Sequence, residues 1–179
     1  MDADKAFDEL LVIQTLDGDK EAFELLVKRW HKKLISFSFK FGHDADLAQD
    51  IVQESWVTIY QQLSKLNDLS KFKSWAYRIV YNKTMDQLKV RQKELEFKST
   101  TDKSEVEEVT TELPDVNKMI QQLPQQQRTI LTLFYLDEMS VEAIAEILNL
   151  PKGTVKSRLF YAREKLKETI KASSYENYR

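Results

Sequence analysis

LPQQQRTILTLFYLDEMSVEAIAEILNLPKGTVKSRLFYAREKLKETIK, residues Leu123–Lys171, reads as a helix, a short turn and a second, strongly basic helix, backed by an apolar one. Ser140 is a fitting N-cap, and Glu142 in the following first turn suits the helix dipole. Val141, Ile144, Ala145 and Leu148 recur at three and four residues, giving one apolar face. Asn149-Leu150-Pro151-Lys152-Gly153 breaks that helix, because Pro and Gly so close together do not continue one. The chain restarts as a helix at Thr154 or just before it, with Val155, Leu159, Ala162, Leu166 and Ile170 as its buried stripe.

Lys152, Thr154, Lys156, Ser157, Arg158, Phe160, Tyr161 and Arg163 are left on the outer face. Two helices joined by a tight Gly-containing turn, the second rich in Lys, Arg, Ser and Thr, form the helix-turn-helix layout that enters the DNA major groove. The competing reading is a helical hairpin with a merely solvated basic face. Small Ala145 at the crossing, the short turn, and the clustering of Thr154, Lys156 and Ser157 at the groove-facing end favour DNA.

Upstream, Met119, Ile120 and Leu123 open this C-terminal domain, and Pro124 suits a first helical position. Ile130, Leu131, Leu133, Phe134 and Leu136 then build the backing helix. The chain has 179 residues, enough for one or two small domains, and no Cys, which excludes disulfides, thiolate metal sites and a catalytic thiol. Its acidic, amphipathic start, MDADKAFDELL, does not resemble a secretory signal, and no apolar run approaches membrane-spanning length; a cytoplasmic protein without membrane insertion is expected.

The net charge of −2 conceals a strong pattern. Lys71 to Lys93 holds seven basic residues against Asp86, and Pro151 to Lys171 holds seven against Glu164 and Glu168. Between them, Glu94 to Asp115 carries eight acids and two lysines. Two basic blocks flank an acidic one, as two nucleic-acid surfaces and a connector would. Three Gly, three Pro and persistent three/four spacing predict an all-α protein: two small helical domains, 1–93 and 115–171, joined by a flexible acidic linker, 94–114, and followed by a polar tail, 172–179.

In the N-terminal domain a first helix from about Asp4 to Leu16 presents Phe7, Leu10, Leu11 and Gln14 on one side. Gly18 ends it and Asp19 caps the next, which carries Ala22, Phe23, Leu26, Val27, Trp30, Leu34, Phe37 and Phe41 as core. His31 is expected to be solvated, and His43 lies in a turn before the cap Asp44. Neither histidine has metal-ligand spacing, so no metal and no cofactor is expected. The third helix, Ala45 to Leu63, has an apolar face of Leu47, Ala48, Ile51, Val52, Trp56, Ile59, Tyr60 and Leu63, opposite a polar stripe of Asp46, Gln49, Asp50, Gln53 and Glu54. That stripe is either an ordinary wet face or a dock for a basic partner. After a loop at Ser64–Ser70 a fourth helix starts near Phe72, with Trp75, Ala76, Ile79 and Val80 inward and Arg78, Asn82, Asp86, Lys89 and Lys93 in a polar row. Aromatics interleaved with Lys and Arg suit single-stranded nucleic acid, although Trp75, Tyr77 and Tyr81 packing in a core explains them as well.

Taken together, DLAQDIVQESWVTIYQQL, FKSWAYRIVYNKTMDQLK and the stretch quoted first resemble regions 2.2, 2.3–2.4 and 4 of bacterial extracytoplasmic-function (group IV) RNA polymerase sigma factors. The resemblance covers nearly the whole chain. It implies a non-enzymatic sigma subunit whose Asp46, Gln49, Asp50, Gln53 and Glu54 dock on the β′ clamp helices of core RNA polymerase, with the C-terminal domain at the β flap. It implies that Leu66, Asn67, Asp68, Ser70, Lys71, Phe72, Lys73, Arg78 and Asn82 hold the melted −10 element, including a flipped base. It likewise implies that Pro151, Gly153, Thr154, Lys156, Ser157, Arg158, Phe160, Tyr161 and Arg163 meet the −35 duplex. At Tyr161 some relatives carry a basic residue. A separate anti-sigma factor is the regulator the resemblance suggests, and no fused sensor domain is expected. The alternative reading of the residues is a stand-alone helix-turn-helix transcriptional regulator.

Overall fold

The computed structural model describes residues 3–98, 119–120 and 123–176, and all of its regular elements are helical. The chain divides into two compact units, Met1–Leu95 and Glu96–Arg179. In the first, α1 (Ala3–Leu16), α2 (Lys20–Gly42), α3 (Ala45–Gln62) and α4 (Phe72–Lys98) are joined by short turns, with two 3₁₀ turns, Leu63–Lys65 and Leu69–Lys71, between α3 and α4. In the second, α5 (Gln125–Leu131) runs into a π-helical turn, Thr132–Leu136, before α6 (Val141–Leu148) and α7 (Lys152–Glu176).

The expected caps set these boundaries. Asp19 accepts from the N–H groups of Glu21 at 2.8 Å and Ala22 at 3.3 Å, and Asp44 from Leu47 at 3.0 Å. His43 closes α2 in the left-handed conformation, φ 52°, with its N–H donating to the Phe39 carbonyl. A side-chain carboxylate or hydroxyl in such a position satisfies amides that the helix itself leaves unpaired.

α1 packs on α2 and α2 on α3, around Leu11, Val12, Leu26, Trp30, Leu34, Phe37, Ile51, Val52, Ile59 and Val80. Burying each such aliphatic or aromatic group contributes about 1.5–3 kcal/mol, and this, not helix propensity, holds the bundle. The buried face of α1 is Asp8, Leu11, Val12 and Thr15, whereas Phe7 and Leu10, expected inside, are exposed. The cause is Asp8: its Oδ1 accepts from Arg29 Nε at 2.7 Å and from Trp30 Nε1 at 3.1 Å, so a carboxylate occupies a core position. Arg29 reaches on to Asp4 at 2.6 Å, which holds the Asp4 carboxyl below its usual range and raises the guanidinium.

Further expectations are corrected. His31 is half-buried, its Nδ1 accepting from Trp56 Nε1 at 3.2 Å. Tyr60 is exposed and lies edge-on to Phe23 at 4.9 Å. On α4, Tyr77 rather than Trp75 or Ile79 enters the core, against Phe37 and Trp30. α4 continues as helix to Lys98, so residues 94–98 of the expected linker are helical, and 99–114 lie outside the described residues. Residues 172–176 of the expected tail belong to α7.

In the second unit Met119, Ile120, Leu123, Ile130, Leu131 and Leu133 are buried with Ile144, Ala145 and Ile147 of α6 and Val155, Leu159, Ala162 and Leu166 of α7. Ile147 takes a core place expected of Val141 and Leu148, which are half-buried. Thr129 to Leu133 are all buried, a run that one side of a 3.6-residue helix cannot hide; this helix is enclosed on several sides. The segment then widens to π geometry, its Asp137 N–H donating to the Thr132 carbonyl at 3.1 Å. Pro124 stands at the N-cap, one residue before the first helical position.

Candidate nucleic-acid interface

The turn between α6 and α7 is the first thing to place. Ser140 caps α6 through Ala143 N–H at 3.1 Å, as its chemistry predicts. The reversal itself is made by Asn149, in the left-handed region at φ 54°, and not by a Gly-containing turn. Asn tolerates that conformation at low cost. Gly153 sits in the first turn of α7 with no neighbour around it. Leu150 N–H donates to the Ala145 carbonyl at 2.9 Å, and buried Ala145 lets the two helices approach.

α7 then presents Pro151, Lys152, Gly153, Lys156, Ser157, Phe160, Tyr161 and Arg163 to solvent, with Thr154 half-buried. Phe160 and Tyr161 are 60% and 65% exposed, too open for core residues and paired edge to face at 5.6 Å. Lys152 at a helix start opposes the dipole. Glu142 compensates at 3.2 Å, its own carboxyl held below the usual range by its backbone N–H and then by Lys152. The Ser157 hydroxyl donates to the Thr154 carbonyl at 3.0 Å, leaving its lone pairs outward. Arg163 lies over the rings of Phe134 (5.0 Å) and Tyr135 (5.6 Å), which fixes its guanidinium plane while its N–H edge stays available. Arg158, like Thr154, is half-buried.

In the N-terminal unit the segment 66–73 is pinned at both ends. Leu66 N–H donates to the Leu63 carbonyl, and Asp68 caps the second 3₁₀ turn through Ser70 N–H at 3.1 Å. Its carboxyl is held low by the Ser70 side chain first. Asn67, Asp68 and Lys71 are exposed, Leu66 and Ser70 half-buried, and Lys73 projects from the first turn of α4. Phe72 is only 1% exposed. It anchors the loop to the core and cannot itself meet a base, so it leaves the list of contact residues. One turn on, Arg78 is half-buried and Asn82 exposed on the polar row of α4.

On α3, Asp46, Gln49, Asp50, Gln53 and Glu54 are all exposed, so the polar stripe is a real surface. Two apolar side chains that sequence reasoning did not assign to it, Val57 at 57% and Tyr60 at 55% exposed, continue the stripe one turn further. Their i, i+4 and i+7 offsets from Gln53 were the available signal. Glu54 also meets Lys83 of α4 at 3.5 Å.

Comparison with known proteins decides between the readings. Residues 26–94 match sigma-70 region 2, and residues 115–166 match sigma-70 region 4. The RNA polymerase sigma-H factor of Pseudomonas aeruginosa is 34% identical over 91% of this chain and 93% of its own length. The chain belongs to the sigma-70 family, among the ECF sigma factors. The ECF RNA polymerase sigma-E factor of Haemophilus influenzae is 33% identical, over 94% of this chain and 97% of its own. Among solved structures, CnrH in complex with the cytosolic domain of CnrY aligns with TM-score 0.71 at 26% identity, covering 93% of this chain and 98% of that one. The sigma factor RpoE of Bartonella quintana, in complex with the anti-sigma factor NepR, gives 0.67 at 25% identity, covering 83% and 96%. This sigma factor is therefore an alternative sigma factor that directs transcription initiation, and not an enzyme. Among the described residues no helix is long and apolar enough to cross a membrane.

Proposed function

We propose that the two units divide the reading of one promoter, with core RNA polymerase holding both. The −35 duplex is read by Pro151, Gly153, Thr154, Lys156, Ser157, Arg158, Phe160, Tyr161 and Arg163. What supports this is an exposed face made of donors and uncovered aromatics at the start of a recognition helix whose apolar side is fully used in packing. Lys156 donates to guanine as a point charge, without the two-pronged geometry of Arg. Arg163, stacked on two rings, serves backbone phosphate.

The melted −10 element is held by Leu66, Asn67, Asp68, Ser70 and Lys71 with Lys73, Arg78 and Asn82. Trapping unstacked bases offsets the few kcal/mol that flipping costs, without ATP. The α3 stripe of Asp46, Gln49, Asp50, Gln53 and Glu54, extended by Val57 and Tyr60, docks on the β′ clamp helices, and the C-terminal unit meets the β flap. The protein works in the cytoplasm, where its polymerase is, under control of a separate anti-sigma factor like the one bound to RpoE of Bartonella quintana.

The single observation that carries the reading is the joint match of regions 2 and 4 with exposed polar faces at both. Transcription in vitro with purified core polymerase on a promoter library tests it. Initiation at an asymmetric −35/−10 pair is expected. Polymerase-independent binding to a two-fold symmetric site, without initiation anywhere, overturns it.

A further inference from the structure

The ring of Trp30 has a use that bundle packing leaves unexplained. It is 5% exposed, edge-on to Tyr77, with its N–H on Asp8, so its position is fixed from three elements. Two ammonium groups converge on it: Lys33 of α2 with Nζ at 4.5 Å from the ring centre, and Lys73 of α4 at 5.7 Å. One cation over an indole is ordinary packing. Here two, from two helices, lie within 6 Å of the same ring centre. The acid that faces Lys33 is Asp4, and its carboxylate already holds Arg29 at 2.6 Å. The spot is thus two lysines from two helices on one rigid ring, one of them, Lys73, at the end of the 66–73 segment.

We propose that Lys33 and Lys73 form a phosphate site for single-stranded promoter DNA, carrying the strand from the loop onto α2. The inference rests on the −10 reading above and adds a residue, Lys33, from an element outside it. Lysine suits the task because a phosphate needs charge rather than a planar fork. A contact to phosphate is independent of base identity.

The test measures binding of the holoenzyme to a fork promoter whose −10 non-template strand is single-stranded, across a salt series. Lys33→Met keeps the stem over the ring and removes the charge. It should lose roughly three- to tenfold in affinity at moderate salt, equally for all −10 sequences, and flatten the log–log salt slope by about 0.7, the value for one single-strand phosphate. Lys73→Met should behave alike, and thermal unfolding and holoenzyme assembly should be unchanged in both. If Lys33→Met keeps the parent slope while Lys73→Met and Asn82→Ala weaken binding, the phosphate site is wrong and the −10 reading stands. If none of the three weakens binding, both fall. Loss of holoenzyme assembly in Lys33→Met, with DNA affinity per assembled complex intact, assigns the pair to polymerase and overturns the proposal.

Discussion

Replacing Asp8 by Ala isolates the interaction that seats α1. Asp8 is 6% exposed, and one oxygen, Oδ1, takes both the Arg29 and the Trp30 donors. Without it the indole N–H of a nearly buried Trp30 has no partner, a cost of about 1–3 kcal/mol. Arg29 suffers less: its side chain is 25% exposed and keeps Asp4, so its loss is discounted to about 0–1 kcal/mol. Together these give about 1–4 kcal/mol, and at ~4–8 °C per kcal/mol for a domain of this size the midpoint should fall by at least ~4 °C and by up to ~30 °C. Asp8→Asn retains the accepting oxygen and should cost about 1 kcal/mol. Tryptophan fluorescence follows this cleanly, because Trp30, Trp56 and Trp75 all lie in the first unit. An alanine variant within about 0.5 kcal/mol of the parent, or an asparagine variant as unstable as alanine, refutes the reasoning.

Charge reversal of Asp50 and Glu54 should abolish association with core polymerase in a co-purification assay while the fluorescence melt stays near that of the parent; normal recovery with core removes the docking assignment. Lys156→Ala or Ser157→Ala should change the preferred −35 sequence in a library selection. Arg163→Ala should instead weaken all sequences alike and reduce the duplex salt slope by about 0.9. The Asp44 carboxyl is depressed by the Leu47 amide and then by Arg91, so its stabilisation is complete above the ordinary carboxylate range and is lost as pH falls through and below that range. Asp44→Ala should flatten the acid limb of a melting-temperature profile, and an unchanged limb contradicts the assignment.

Caps and charge were legible because they are local: Asp19, Asp44 and Ser140 each act within three residues of themselves. The two-unit helical plan followed from spacing and from the charge blocks. What escaped was whatever depends on a partner far along the chain. Asp8 has a core place only because Arg29 and Trp30, more than twenty positions away, are brought to it. His31 needed Trp56, and Tyr77 needed Trp30 and Phe37. Phe72 counts among the expected base contacts because it opens a helix, where periodicity has no upstream turn to show that it is buried. The turn before α7 was assigned to Gly153 when Asn149 was equally visible as a left-handed residue. The π turn at Thr132 leaves no composition signature at all.

Asp44 divides its labour between two atoms. Oδ1 closes the N-terminus of α3, and Oδ2 grips Arg91, far along α4, at 2.7 Å. One carboxylate therefore ties the rod that carries the polar stripe to the rod that follows the 66–73 segment. Asparagine there would keep the lid on α3 yet cut the strut to α4, so a single exchange separates the integrity of each rod from the pitch between them.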